Sequence, residues 1–303
     1  MKMPRLFERF CVVAATLIVL AAPLLGQDQY FDSDGVRIRY VVEGTGEPIV
    51  LVHGFGGSLE AWRVVDILQN LSRDHQVIAF DMRGHGKSAK PHDPKLYGRQ
   101  MSVDIVRLMD HLHIHRAHIV GYSMGGMVTS QLLTLRPERF LTATLIAGPG
   151  RFDWTPEDQR IADLEAGEIE RDCISRSLLE RMGPASGPKP SEQQVHALSA
   201  TCMADSTRDR FALAAVTRSR ADQSVSPAAA AVVKVPTLGV VGSLDGMRAG
   251  MERLKKLRPD MQLVIVDGAT HGGERGILSR PELIAALRQF VATNHVKPGT
   301  AAH

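Results

Sequence analysis

Six short, mainly apolar stretches punctuate the chain. They are Pro48-Ile49-Val50-Leu51-Val52, Val77-Ile78-Ala79-Phe80, Ala117-His118-Ile119-Val120, Thr142-Ala143-Thr144-Leu145-Ile146, Thr237-Leu238-Gly239-Val240-Val241 and Leu263-Val264-Ile265-Val266. Each is too short for a helix, and apolar residues dominate the set. Such runs predict strands of a parallel sheet buried on both faces. Between them the period changes. Val103, Val106 and Met109, flanked by Ile105, Leu108 and Leu112, recur at helical spacing. So do Met124, Met127, Val128, Leu132 and Leu135. Leu283, Ile284, Leu287, Phe290 and Val291 do so after Pro281, which suits a first helical turn. Ahead of this alternation, Tyr30–Val42 with a central Asp34-Gly35 reads as an antiparallel hairpin.

Residues 151–232 break the alternation. They hold no convincing strand and are rich in charge. Ser191-Glu192-Gln193-Gln194 is a capping box that starts one helix, and Ile174, Leu178, Leu179 and Met182 suggest another. The stretch reads as a helical insertion, and the strand–helix alternation resumes at Val235-Pro236.

The N-terminus follows different rules. Lys2, Arg5 and Arg9 precede an uncharged run from Cys11 to Leu25, and Gly26-Gln27 lead into polar sequence. A basic start, an apolar centre and a small residue before a polar stretch describe an export signal. The run is shorter than the roughly 20 residues that a membrane span needs. Residues 1–26 are therefore expected to be a signal peptide, the protein to be periplasmic or secreted, and no stable membrane span to remain after cleavage. Retention as an N-terminal anchor is the alternative. Loss of the segment lowers the net charge from +3 to about +1.

Composition adds mainly exclusions. The 303 residues are 44% hydrophobic and 23% charged, so the chain is neither disordered nor fibrous. Its 36 basic and 33 acidic residues form no basic stripe of the kind nucleic acid requires. The three cysteines make no C-x-x-C pair, which argues against structural zinc. Cys173 and Cys202 are the two that remain in an exported protein, and oxidising surroundings favour a disulfide between them, with two buried free thiols as the alternative.

The strongest chemical signal is Gly121-Tyr122-Ser123-Met124-Gly125, placed after an expected strand and before an expected helix. That is the setting of a nucleophile elbow, where glycines permit the sharp turn and the helix N-terminus favours a developing anion. A serine nucleophile needs a general base, and the base needs an orienting acid. His271 follows the last expected strand and Asp245 the strand before it, so both share a sheet edge with Ser123. Their order along the chain is the one this elbow type requires. Asp153, after the Thr142–Ile146 strand, is the rival acid. His53-Gly54-Phe55-Gly56-Gly57 follows the first parallel strand. There the Phe55 N–H, with that of Met124, would form an oxyanion hole, and His53 would brace the loop.

Two other clusters read as structural. His111, His113, His115 and His118 share no single face and are expected to be solvated rather than metal-binding. Asp81-Met82-Arg83-Gly84-His85-Gly86-Lys87-Ser88 lacks phosphate-loop spacing and reads as a turn.

Taken together, the histidine–glycine loop, the Asp81–Ser88 turn and the Ser123 elbow resemble, in order, three hallmarks of the α/β-hydrolase fold family. The resemblance covers about residues 30–150 and 232–295. It implies a doubly wound, mostly parallel eight-stranded sheet with a helical cap. On that view residues 27–150 and 233–303 form the core and 151–232 the cap. It implies Ser123 as nucleophile, Asp245 as acid, His271 as base, and Phe55 and Met124 as oxyanion donors, with no cofactor and no metal. A serine at the elbow disfavours the branches that use aspartate there. Two features depart from the pattern: no proline closely follows Asp245, and Gly272-Gly273 follow His271. The expected activity is hydrolysis of a carboxylic ester on a small acyl substrate. A carbon–carbon bond hydrolase or cofactor-free perhydrolase would use the same triad, and a non-catalytic small-ligand receptor would keep only the fold.

Overall fold

The computed structural model describes residues 26–184 and 187–294, so the expected export signal lies almost wholly outside the described residues. The hairpin forms as β1 (Gln29–Asp32) and β2 (Arg37–Glu43). There follow β3 (Pro48–Val52), the short helices α1 (Glu60–Val64) and α2 (Ile67–Leu71), and β4 (Gln76–Phe80). Next come α3 (Arg99–His111), β5 (Ala117–Tyr122), α4 (Met124–Leu135) and β6 (Phe140–Ile146). The sheet resumes after the insertion with β9 (Thr237–Gly242), α10 (Arg248–Leu257), β10 (Gln262–Val266) and α11 (Pro281–Thr293).

The strands order as β1-β2-β4-β3-β5-β6-β9-β10. Pairs from β4 to β10 are parallel, whereas β1 and β2 run antiparallel at one edge. This is the α/β-hydrolase fold. Alternate residues of each strand enter opposite cores. Val50, Val52, Ile78 and Phe80 pack with Met101, Ile105 and Leu108 of α3. Ile49, Leu51, Val77 and Ala79 pack with Trp62, Leu71 and, from α11, Leu287 and Phe290. Burial on both faces explains why these strands lack polar alternation. Among the parallel strands β10 departs most, with Ile265 40% exposed. It is the outermost strand, so part of one face meets solvent.

Between β6 and β9 lie α5 (Pro156–Asp172), α6 (Arg176–Met182), α7 (Glu192–Ala204), α8 (Arg210–Arg218) and α9 (Pro227–Ala231). The Ser191 capping box forms in full at the start of α7. A second box, Thr155 with Asp158, starts α5. The expectation that this region holds no strand needs correction. Arg151–Phe152 (β7) and Ser224–Val225 (β8) pair in parallel. Two-residue strands carry no readable period, so no sequence pattern marks them. Cys173 and Cys202 are disulfide-bonded and tie the end of α5 to α7.

The expectation for the histidines also needs amending. His111, His113 and His115 are exposed. His118 is fully buried in β5, with Thr142 Oγ1 at 2.7 Å and Glu47 Oε2 at 2.9 Å. Among the described residues no cluster could hold a metal ion, and no helix is long and apolar enough to cross a membrane.

Candidate active site

The parallel strands end on one edge, and the chain turns there after each of them. The strand order places β3 between β4 and β5, so successive connections leave in opposite directions and open a crevice. Ser123 follows β5 at that crevice. Its φ of 52° and ψ of −116° lie outside the ordinary regions for a side-chain-bearing residue. Tight packing enforces the turn. A Cβ on Gly121 would lie 2.4 Å from the Gly125 carbonyl oxygen, and one on Gly125 would lie 2.1 Å from that of Val52. Glycine at both flanks is thus required by close approach of the backbone, and the serine is held at the tip.

His271 and Asp245 reach the same point. His271 Nε2 is 2.8 Å from Ser123 Oγ, and its Nδ1 lies 3.0 Å from each Asp245 carboxylate oxygen. Asp245 is 5% exposed and also accepts the Met247 N–H at 2.8 Å. Nδ1–H therefore donates to the carboxylate, leaving the Nε2 lone pair toward the serine hydroxyl. Asp153, the rival acid, is elsewhere. Its side chain is 54% exposed and ion-paired with Arg253.

The histidine–glycine loop packs directly on the elbow. A Cβ on Gly54 would stand 3.3 Å from that of Ser123. Among the described residues, neither the Phe55 N–H nor the Met124 N–H meets a backbone acceptor. His53 is the brace. Its Nδ1–H donates to the Gly54 carbonyl at 2.8 Å, and its Nε2 accepts the Met82 N–H at 3.0 Å. Burial lowers the His53 pKa against the pull of Asp81, and burial beside His53 lowers that of His85 to about 3. Both rings stay neutral near pH 7, so neither adds charge beside the elbow. The Asp81–Ser88 turn is structural, as expected. Buried Asp81 accepts the N–H groups of Leu59 at 2.7 Å and Lys87 at 2.8 Å.

Sequence reasoning passed over Tyr122. Its hydroxyl donates to the His271 carbonyl at 2.7 Å, and its ring stacks on the imidazole at 5.4 Å. It holds the histidine loop against the elbow. Its place as the variable residue before Ser123 was the only available signal. Overhead, Phe55 packs against Ala166 and Ile169 of α5 and Leu213 and Ala214 of α8, so the insertion roofs the histidine–glycine loop.

Comparison with known proteins matches residues 47–171 to the model of the alpha/beta hydrolase fold. The chain is 40% identical over 126 residues to a dihydrolipoyllysine-residue acetyltransferase component of the acetoin cleaving system of Cupriavidus necator. That match covers 40% of this chain and 32% of the relative, so the chain spans about a third of that protein's length. Among solved structures, a thermophilic esterase from Thermogutta terrifontis superposes with a TM-score of 0.71 at 23% identity, covering 89% of this chain and all of that one. An enzyme that degrades N-acyl homoserine lactones superposes at 0.67 with 25% identity, covering 87% of this chain and all of the other.

Proposed function

This chain belongs to the α/β-hydrolase fold family, and from that premise we propose that it is an exported serine hydrolase acting on a carboxylic ester or related acyl bond. The observation that carries the reading is the continuous hydrogen-bonded line from Ser123 Oγ through His271 to Asp245. His271 Nε2 takes the serine proton as Oγ attacks the acyl carbon. Asp245 holds the ring in the tautomer that presents Nε2 and stabilises the imidazolium. The carbonyl oxygen becomes an oxyanion facing the Phe55 and Met124 N–H groups at the N-terminus of α4. Collapse of the tetrahedral intermediate breaks the ester C–O bond, and the imidazolium proton goes to the leaving alcohol. Water, deprotonated by His271, then attacks the acyl-enzyme and releases the acid. The chemistry requires only protein groups and water. The Cys173–Cys202 bond and the basic-then-apolar N-terminus support export.

Ser123→Ala tests the reading on short-chain p-nitrophenyl esters. Loss of a triad nucleophile lowers turnover by roughly 10⁴–10⁶. A fluorophosphonate should label Ser123 in the native protein and leave the variant unlabelled. Near-normal turnover by the alanine variant would reject the mechanism.

A further inference from the structure

One helix of the insertion seats directly on the turn that carries Asp245. That turn follows β9, and Gly246 is the residue after the acid. The backbone at the end of α6 lies against it. The Gly246 N–H faces the Met182 carbonyl at 3.4 Å. A Cβ on Gly246 would lie 2.4 Å from the Arg181 carbonyl oxygen and 2.9 Å from that of Gly183. The last carbonyls of a helix have no partner within it, so an N–H brought close is what they require. The atoms that would clash with a side chain here are backbone atoms, which no rotamer change moves. Only glycine fits between α6 and the Asp245 turn without displacing one of them.

Both sides of this contact are held. α5 grips α6 at its two ends. At the start, Glu168 accepts the Ser175 hydroxyl at 2.5 Å and the Ser177 hydroxyl at 2.9 Å. At the end, Arg181 Nη2 lies 2.6 Å from Oε1 of the fully buried Glu165. The Cys173–Cys202 bond ties the chain just before α6 to α7. On the other side, the Asp245 N–H donates to the Gly242 carbonyl at 3.2 Å, and the Asp245 carbonyl accepts the Arg248 N–H at 3.0 Å. Its carboxylate accepts the Met247 N–H at 2.8 Å and faces His271 Nδ1. A displacement at Gly246 is therefore passed to the adjacent residue, whose carboxylate orients the imidazole.

We propose that α6 positions the Asp245 carboxylate for His271, and that Gly246 is the positioning residue through which it acts. Gly246 touches no reacting atom. Its lack of a side chain lets the α6 backbone bear on the Asp245 turn. The insertion then aligns the acid as well as covering the histidine–glycine loop. This rests on the reading of Ser123, His271 and Asp245 as a triad, and deepens it by adding the insertion to the groups that align it.

Gly246→Ala is the test. The new methyl group starts about 1 Å inside ordinary contact with the Arg181 carbonyl oxygen, and a misplacement of that size can cost roughly 100-fold in rate. On a short-chain p-nitrophenyl ester, kcat per fluorophosphonate-titrated site should fall by about 10- to 100-fold. Counting titrated sites removes any unfolded fraction from the comparison. In Asp245→Asn protein the same substitution should cost less than about threefold, because residues that act through one another do not add. A kcat within about threefold of the wild type, or a loss repeated in full in the Asp245→Asn background, would overturn the proposal. Proton NMR gives a reading that needs no turnover. The His271 Nδ1–H held by the Asp245 carboxylate should resonate far downfield of the amides, and Asp245→Asn should abolish the signal. Gly246→Ala should shift or remove it. An unshifted signal, or none in the wild type, would overturn the positioning role. If the wild type hydrolyses no ester yet shows the signal, the acyl-transfer reading alone fails, and the Gly246→Ala spectrum decides the proposal.

Discussion

Asp245 and Asp153 both follow strand ends on the edge that holds Ser123, and their positions along the chain leave either able to orient a histidine. Geometry separates them. Asp245 presents both oxygens to His271 Nδ1 from a buried turn, whereas Asp153 pairs with Arg253 at the surface. An asparagine at 245 would offer an N–H where the imidazole needs an acceptor, and the ring would settle in the tautomer that turns a hydrogen toward Ser123. Such a change costs about 10⁴ in turnover in a serine protease triad. Asp245→Asn should therefore lower kcat at least about a hundredfold, and Asp153→Asn less than about tenfold. Steady-state kinetics on one ester decides it, and exchanged outcomes would move the acid to Asp153. Tyr122 shows what single-residue reading misses. Its contribution is a hydrogen bond across 149 positions, invisible in any local window.

The elements of the insertion are set by caps and by one buried ionic cluster. Thr155 and Ser191 begin α5 and α7 through side-chain bonds that local sequence encodes. What seats α5 is Glu165 against Arg181 and Arg220. Burial alone would raise the Glu165 pKa, but the two arginines override it and hold it below the ordinary carboxylate range. A carboxylate depressed by folding contributes stability above its unfolded pKa of about 4.3, and that contribution is lost as the pH falls through the lower folded value. Glu165→Gln leaves the guanidinium groups without their counter-charge and should destabilise by about 3–5 kcal/mol near neutral pH. The deficit relative to the wild type should shrink as the pH drops below about 4, where the wild-type carboxylate also protonates. Urea denaturation of both proteins across that range measures it, and a deficit unchanged in acid would show that Glu165 acts by shape alone.

At the scale of the whole molecule, the five parallel strand pairs of the main sheet bring together residues that are far apart in the chain. Ser123 and His271 are separated by 148 positions and meet because β5 and β10 end on the same edge. The Cys173–Cys202 bond is the one covalent tie among the described residues, and it closes a separation of 29 positions within the insertion. Replacing both cysteines by serine should destabilise the protein by roughly 3–4 kcal/mol on the loop-entropy account. Thermal denaturation would check this, with thiol mapping of natively exported, unreduced protein. Free thiols at both positions would reject the bond in the exported form.

The continuous apolar runs, the helical periods and the glycine-flanked serine were decisive by themselves, because each is a local pattern tied to a local backbone geometry. They were enough to specify a doubly wound sheet and to place Ser123, Asp245, His271, Phe55 and Met124 at strand ends or in the turns that follow them. Contacts between distant segments depended on tertiary structure. It separated Asp245 from Asp153, buried His118, seated Tyr122 on His271, formed β7 with β8, and gathered Arg181 and Arg220 around Glu165. The physical reason is range. Backbone preference and amphipathic period act over a few residues, whereas the pairing of buried charges depends on which surfaces the folded sheet brings together.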